Sequence, residues 1–185
     1  MTLVVLCPLA MEARAARRGI RRAGSGATVV CTGMGPKRSR TVEPRSGPVA
    51  VVGMGGAVVD GIDPGDVVVA TEVSADNVSP IGLPGADAVA KSLQSAGFTV
   101  HTGPVASVAE LAVGPRRKEL ADRGAVAVDM ESAWLLEHHR GSAAVVRVVT
   151  DTPSHELRSV VAPARIYRAL RTIRRLTPVL SKEVC

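Results

Sequence analysis

Aromatic side chains are almost absent from this chain of 185 residues, which contains one Trp, one Tyr and one Phe. Proteins that bind single-stranded nucleic acid without sequence preference stack successive bases on aromatic rings, so this scarcity argues against such a function. It also means that the core must consist mainly of Val, Ala and Leu. That composition is typical of strands that are buried on both faces of a sheet.

Cysteine frameworks and long apolar runs are also missing. Cys7, Cys31 and Cys185 form neither a CxxC pair nor a regular disulfide pattern, so we expect reduced thiols in a cytoplasmic protein. The apolar run at residues 3–9 is too short to span a membrane, and no basic segment precedes it. We therefore expect neither a signal peptide nor a transmembrane helix.

The chain is basic, with 23 Lys and Arg against 17 Asp and Glu and a net charge of +6. Such a surplus can attract nucleic acid, anionic lipid or an acidic substrate, although an arginine-rich surface on a soluble protein is the simpler interpretation. The predicted helix at residues 163–176 carries five of the arginines. We favour a helix that packs on the sheet with a solvated basic face over one that lies on an anionic membrane.

Short Val-rich segments alternate with helical patterns along the chain. The predicted strands are residues 3–7, 28–32, 49–52, 67–71, 99–102, 125–128 and 143–149, and the predicted helices are residues 11–18, 86–96, 115–123, 131–139 and 163–176. This order predicts one domain over residues 1–185, with a three-layer α/β/α architecture and a largely parallel, mixed sheet. Ligands bind such sheets beyond the carboxyl ends of the strands, so function is expected there.

Acidic or glycine-rich residues follow several of these predicted strands. They are Glu12, the predicted glycine turns at residues 33–37 and 53–57, the sequence Asp129-Met130-Glu131, and Asp151. Each has a plain structural alternative, because a carboxylate can favour the start of a helix and glycines can simply form turns. Their joint placement after strands favours an acid–base site that uses neither a metal nor a cofactor.

Parts of the sequence resemble other ligand-binding motifs, but none of these motifs is complete. Residues 53–58 have Val58 where a dinucleotide fingerprint needs its third glycine, and residues 33–37 lack the spacing and the Lys-Ser/Thr pair of a phosphate-binding loop. His138 and His139 are adjacent, so a helix points them in different directions and they make a poor metal pair.

Taken in chain order, these segments resemble the nucleoside phosphorylase and nucleosidase superfamily. The most specific segments are Asp-Met-Glu-Ser-Ala at residues 129–133 and Arg-Val-Val-Thr-Asp-Thr at residues 147–152. The resemblance is to the nucleosidase branch, which includes methylthioadenosine/S-adenosylhomocysteine nucleosidases, futalosine hydrolases and hopanoid-associated adenosylhopane enzymes. Residues 8–15, 101–104 and 151–157 are most similar to the hopanoid-associated members.

The resemblance implies a nucleoside phosphorylase-like fold that releases adenine from a 5′-substituted adenosine, with adenosylhopane as a candidate. Asp151 matches the acid that protonates or hydrogen-bonds purine N7, a role for which a dry site would suit it. Glu12 matches the base that activates water, and Glu131 the carboxylate that binds the ribose hydroxyls. The substrate-binding positions that it implies are Gly33, Met34, Gly35, Gly53, Met54, Gly55, Val108, Asp129, Met130 and Glu131.

Two positions depart from the family pattern. A phenylalanine often stacks on the purine in relatives, whereas residues 105–108 of this chain offer only aliphatic side chains such as Val108. Asp129 stands where the usual Glu-Met-Glu sequence has its first Glu. Both departures leave the 5′ substituent of the substrate open, and a bulky lipid-like group is compatible with them.

Hydrolysis and phosphorolysis remain alternatives. Phosphorylases of the superfamily commonly carry an Arg just before the second glycine run, where this chain has Val51 and Val52. Glu12 would repel phosphate but suits the activation of water, so we favour a hydrolase over a phosphorylase or a non-catalytic nucleoside-binding protein. Relatives often dimerise, so we expect a homodimer. We expect no nucleic-acid partner. We expect contact with a membrane surface only if the substrate is a lipid.

Overall fold

The computed structural model describes residues 2–43, 46–154 and 162–184. In chain order its elements are β1 (Val4–Cys7), α1 (Ala10–Ala23), β2 (Thr28–Cys31), α2 (Pro36–Ser39), β3 (Val49–Ala57), β4 (Val67–Ala75), β5 (Val78–Gly82), α3 (Ala86–Ser95), β6 (Val100–Ser107), α4 (Pro115–Asp122), β7 (Ala127–Asp129), α5 (Ser132–Leu136), β8 (Ala143–Asp151) and α6 (Ala162–Glu183). Every predicted strand and helix has a counterpart among them, although many boundaries differ.

All eight strands belong to one mixed sheet in which most pairings are parallel. The antiparallel pairs are β3–β7, β4–β5 and β4–β8. Strand β3 pairs with β8, β8 with β4, β4 with β6, β6 with β7, and β7 returns to β3. These five strands therefore close into a ring, and β1 and β2 extend the sheet from β3.

Helices cover both faces of the sheet, which confirms the three-layer arrangement. Val5, Ala50 and Val146 belong to the core that includes residues of α1, α3 and α6. Their chain neighbours Val51 and Val145 belong to a second core that includes residues of α5. Successive strand residues point to opposite faces, so these strands are buried on both sides and Val predominates in them.

The predicted turn at residues 53–57 is wrong, because β3 continues through this glycine run to Ala57. Gly53 lies opposite Arg147 and Gly55 opposite Val149 in the parallel pairing with β8. The backbone hydrogen bonds of this buried ladder override the low intrinsic preference of glycine for strands. The first glycine run does form a loop, which leads from β2 into α2.

Strand β5 is absent from the prediction, and it contains Pro80, a residue that is uncommon in strands. It lies at the edge of the sheet, where a proline is tolerated because one side of the strand needs no hydrogen-bonded partner. The predicted helix at residues 131–139 is limited to the five residues of α5, whereas α6 continues past the predicted end to Glu183.

Helix α6 packs on the sheet as predicted. Ile173 is buried in the core, while Arg171 and Arg174 are exposed. Cys7 and Cys31 are free thiols, and Cys185 lies outside the described residues. Within the ranges that the structure describes, no helix has both the length and the apolar character needed to cross a membrane.

Candidate active site

A cavity of about 250 Å³ is lined by residues at or just after the ends of β1, β3, β7 and β8. Glu12, Glu131 and Asp151, which are far apart in the sequence, all line it. Six other predicted site residues line the same cavity: Met34, Met54, Gly55, Val108, Asp129 and Met130. The structure therefore brings most of the predicted site together. Gly33, Gly35 and Gly53 are not part of the lining.

Glu12 lies in the first turn of α1, with its buried carboxylate directed at the sheet. Its Oε2 accepts a hydrogen bond of 2.8 Å from the backbone N–H of Leu9, and its Oε1 accepts one of 2.7 Å from that of Met54. Burial raises the pKa of Glu12 above its ordinary value, although Arg147 and these N–H groups oppose the shift. A fixed carboxylate that holds a proton more readily than usual suits a general base.

A buried arginine next to the cavity connects two of its acidic side chains, those of Asp129 and Glu131. Arg147, on β8, is 0% exposed, and its Nε donates to Asp129 Oδ2 at 2.8 Å. Its Nη2 donates to Glu131 Oε2 at 3.5 Å. A buried charge is tolerated only when it is paired, and the carboxylates of Asp129, Glu131 and Glu12 together hold the pKa of Arg147 above its ordinary value in spite of burial.

Arg147 is not among the site residues predicted from the sequence. The available signal was one charged residue in the otherwise apolar strand of residues 143–149. A charge at such a position is rarely buried without a partner, so it indicated an acidic neighbour elsewhere in the chain.

Several protein donors hold the carboxylate of Asp129 in place. Oδ1 accepts hydrogen bonds from Ser107 Oγ at 2.6 Å and from the N–H groups of Glu131 and Ser132 at 3.0 and 3.1 Å. Burial opposes its ionisation, but Arg147 and these donors outweigh that effect and lower the pKa of Asp129. Asp129 therefore favours its anionic form, and its hydrogen bonds position Arg147 and the start of α5.

Glu131 has a weaker set of partners. Its Oε1 accepts a hydrogen bond of 3.2 Å from the N–H of Gly35, at the end of the first glycine run. Burial raises the pKa of Glu131 to about 7, assisted by the negative charges of Asp129 and Glu12 and opposed by Arg147. Glu131 thus changes charge near neutral pH.

Gly53 allows Glu12 and Arg147 to approach the same point of β3. A Cβ atom at this position would lie 2.5 Å from Arg147 Nη1 and 2.9 Å from Glu12 Oε1. Those distances are too short for any side chain. Gly53 does not line the cavity, but the space that it leaves lets Glu12 and Arg147 take their positions next to it.

The other end of the cavity holds a buried ion pair. Asp151, at the end of β8, accepts a hydrogen bond of 2.8 Å from Thr150 Oγ1 and an ion-paired one from Arg117 Nη2. Arg117 lies on α4, and its Nη1 donates to the carbonyl of Ala57 at 2.6 Å. A Cβ atom at Gly56 would lie 2.8 Å from Asp151 Oδ2, so glycine also makes room here.

The dry surroundings expected for Asp151 are present, but its buried cation was not expected. Residues 115–122 are a largely polar helix in which Arg117 looks like any of the surrounding basic residues. No signal in the sequence distinguishes it from the partly exposed Arg116 beside it.

Apolar residues form the rim of the cavity. Met34 and Leu111 both line it and are 53% and 50% exposed, whereas Val108 is buried at its wall. Among the residues that the structure covers, no group of three or more His, Cys, Asp or Glu is arranged to hold a metal ion.

No protein-family model and no curated protein sequence matches this chain. Solved structures do match it. The methylthioadenosine/S-adenosylhomocysteine nucleosidase of Campylobacter jejuni has a TM-score of 0.78 at 11% identity, over 98% of this chain and 99% of that chain. A futalosine hydrolase mutant of Helicobacter pylori has a TM-score of 0.77 at 14% identity with the same coverage.

The Streptococcus pneumoniae methylthioadenosine/S-adenosylhomocysteine nucleosidase in complex with 8-aminoadenine has a TM-score of 0.75 at 16% identity, over 98% of this chain and 99% of that chain. These likenesses confirm the nucleoside phosphorylase-like fold that the resemblance implied. They extend over almost the whole of both chains, so the fold is shared as a unit.

Replacing Gly53 by Ala should destabilise the protein, because the new methyl group would overlap Arg147 and Glu12. We expect a loss of roughly 1–3 kcal/mol in the free energy of unfolding, measured with urea. Gly82→Ala is the matched control in another strand, since a Cβ there meets nothing within 4 Å. Equal losses in the two variants would contradict this account.

Replacing Glu131 by Gln should stabilise the protein at alkaline pH. The folded pKa of about 7 exceeds the ordinary 4.5, so the stability contributed by this group is lost as pH rises from 4.5 through 7. At about pH 8 we expect the variant to gain roughly 1–3 kcal/mol over the native chain, with a smaller gain at about pH 5. Urea unfolding at both pH values, with the exposed Glu110→Gln as control, measures this; a pH-independent difference would refute it.

Proposed function

We propose that this chain is a purine nucleosidase that hydrolyses the N-glycosidic bond of a 5′-substituted adenosine and releases adenine. The observation that carries the proposal is that Glu12, Glu131 and Asp151 line one cavity. The fold around that cavity is the one seen in the Streptococcus pneumoniae nucleosidase in complex with 8-aminoadenine. A purine nucleoside is therefore the substrate class that we assign.

Cleavage of a glycosidic bond develops positive charge on the sugar ring. In the proposed reaction Glu131 accepts hydrogen bonds from the ribose hydroxyls, and its negative charge stabilises the ring as that charge develops. Because the pKa of Glu131 is about 7, the required anionic form becomes more abundant as pH rises through neutrality. Met130, which lines the cavity beside it, supplies an apolar contact beneath the sugar.

Glu12 activates the water in this scheme. Its carboxylate is fixed by two backbone N–H groups, and its raised pKa favours the removal of a proton from water as the oxygen attacks C1′. The electron pair of the broken C1′–N9 bond moves onto the purine. Asp151 donates a proton to N7, so that the base leaves as a neutral molecule. Pyrimidines have no N7, and this role therefore favours a purine.

The charges in the cavity favour water over phosphate as the nucleophile. Glu12 and Glu131 line the sugar end and would repel a phosphate dianion. Lys37 and Arg38, the basic residues that follow the first glycine run, do not belong to the lining. We therefore propose hydrolysis rather than phosphorolysis.

The exposed Met34 and Leu111 at the rim support an apolar 5′ substituent, and adenosylhopane is our candidate substrate. Other parts of the hopanoid-associated resemblance carry less weight. Residues 101–104 lie in β6, where His101 contacts Asp66 at 2.9 Å rather than the cavity. Residues 155–157 lie outside the described residues.

A partner subunit is the second way to cover this rim. We include a cytoplasmic homodimer in the proposal, in which a second copy shields apolar side chains at the cavity mouth. Contact with a membrane surface is part of the proposal only for a lipid substrate, which would have to leave a bilayer to reach the cavity.

The assay that tests the proposal measures free adenine after incubation with 5′-methylthioadenosine, S-adenosylhomocysteine or adenosylhopane, with and without phosphate. We expect release in phosphate-free buffer. An absolute need for phosphate would indicate a phosphorylase, and tight binding of all three nucleosides without product would indicate a non-catalytic binding protein. Either outcome would overturn hydrolysis.

The three carboxylates should each be needed for turnover. We expect Asp151→Asn, Glu12→Gln and Glu131→Gln each to lower kcat/KM by about 100-fold or more, as is typical for a positioned acid or base. Asp76→Asn, in an exposed residue, is the control and should keep native activity. Circular dichroism shows whether each variant is folded, and native kcat/KM in a folded variant would refute the role of that residue.

A further inference from the structure

Arg117 is the buried cation at the end of the cavity opposite to Arg147. It is 3% exposed, and its guanidinium is oriented by the carbonyl groups of Ala57 and Ala112, at 2.6 and 3.0 Å. These two contacts come from the end of β3 and from the loop before α4. They fix the position of the guanidinium independently of Asp151, so the cation is built into the site.

The absence of a side chain at Gly56 leaves room for the ion pair between Arg117 and Asp151. Asp151 is buried, and its second oxygen accepts from Thr150 Oγ1 at 2.8 Å. A Cβ atom on Gly56 would lie 2.8 Å from Asp151 Oδ2 and 3.2 Å from Arg117 Nη2. A larger residue would separate the two charges, and glycine at this position keeps them in contact.

We propose that Arg117 is a positioning residue that fixes the carboxyl group of Asp151 and makes it a stronger acid toward the departing base. This inference rests on the proposed function, because it concerns the proton that Asp151 gives to the purine. When that proton moves to N7, the O–H bond of Asp151 breaks and a carboxylate forms. The adjacent guanidinium stabilises this carboxylate, so that the transfer is more complete.

The same contact has a cost at the start of the reaction. Since Arg117 favours the charged form of Asp151, fewer molecules carry the proton at neutral pH, and the native enzyme should work best at a lower pH than one without the cation. The other charged groups of the described cavity lining are Glu12, Asp129 and Glu131, all acidic. Arg117 is the one that contacts the carboxyl of Asp151.

The pH profile of kcat/KM for adenine release tests this assignment. Arg117→Gln should lower the maximum of kcat/KM by about 10-fold or more. It should also move the pH optimum upward by about one pH unit or more, because an adjacent cation lowers the pKa of a carboxyl group by about 1–3. Arg117→Lys keeps the charge and should retain an optimum close to the native one. A merely structural role would lower activity without moving the optimum.

The matched control is Arg116→Gln, which removes the same charge from the neighbouring residue of α4. Arg116 is partly exposed and pairs with Asp76 and Glu119 rather than with Asp151. Its variant should show the native optimum. If Arg117→Gln and Arg116→Gln gave the same profile as the native enzyme, the assignment would be overturned.

A second measurement needs neither turnover nor a substituted Arg117. Carbon-13 NMR of the aspartate carboxyl groups, with the Asp151 signal identified by its loss in Asp151→Asn, reports the charge of Asp151 in the free protein. We expect an ionised carboxyl at about pH 6, where a buried carboxyl without a cation would be neutral. A neutral Asp151 at that pH would overturn the inference even if the enzyme were active. An ionised one would show that Arg117 acts on Asp151 even if no nucleoside were hydrolysed, and in that case the proposed function, rather than the contact, would have failed.

Discussion

The ion pairs of the buried Arg147 guanidinium are the interactions on which the carboxylates of Asp129 and Glu131 depend. It pairs with Asp129 of β7 and with Glu131 at the start of α5, the charge of Glu12 on α1 also acts on it, and it is completely inaccessible to solvent. Several carboxylates cannot share a dry site without a cation, because both burial and mutual repulsion oppose their ionisation. The carboxyl of Asp129, which has the most hydrogen bonds of the three, favours its charged form, whereas burial raises the pKa values of Glu12 and Glu131.

A second buried guanidinium, that of Arg117, gives the other end of the cavity a different character. There the guanidinium of Arg117 directly contacts the carboxylate of Asp151. In the proposed reaction Glu131 binds the ribose and Glu12 activates the water, while Asp151, which is paired with Arg117, donates a proton to the base.

Both ends depend on glycines in β3. Gly53 lets the side chains of Arg147 and Glu12 approach the backbone, and Gly56 does the same for the ion pair of Asp151 and Arg117. The closed ring of β3, β8, β4, β6 and β7 brings the ends of β7 and β8 to either side of this glycine-rich stretch. The strand closure and the glycines therefore act together to create the cavity, in a fold that is shared with nucleosidases at only 11–16% identity.

The sequence by itself determined the alternation of strands and helices and the positions after strands where Glu12, Glu131 and Asp151 lie. Those features are local, since they depend on the period of apolar residues and on which residue follows a strand. Tertiary structure alone decided that β3 continues through its glycine run and that the ring closes, because both follow from hydrogen bonds to strands distant in the sequence. It likewise selected Arg147 and Arg117 from 23 basic residues, since the charge of a buried group is set by neighbours that only folding brings within a few ångströms.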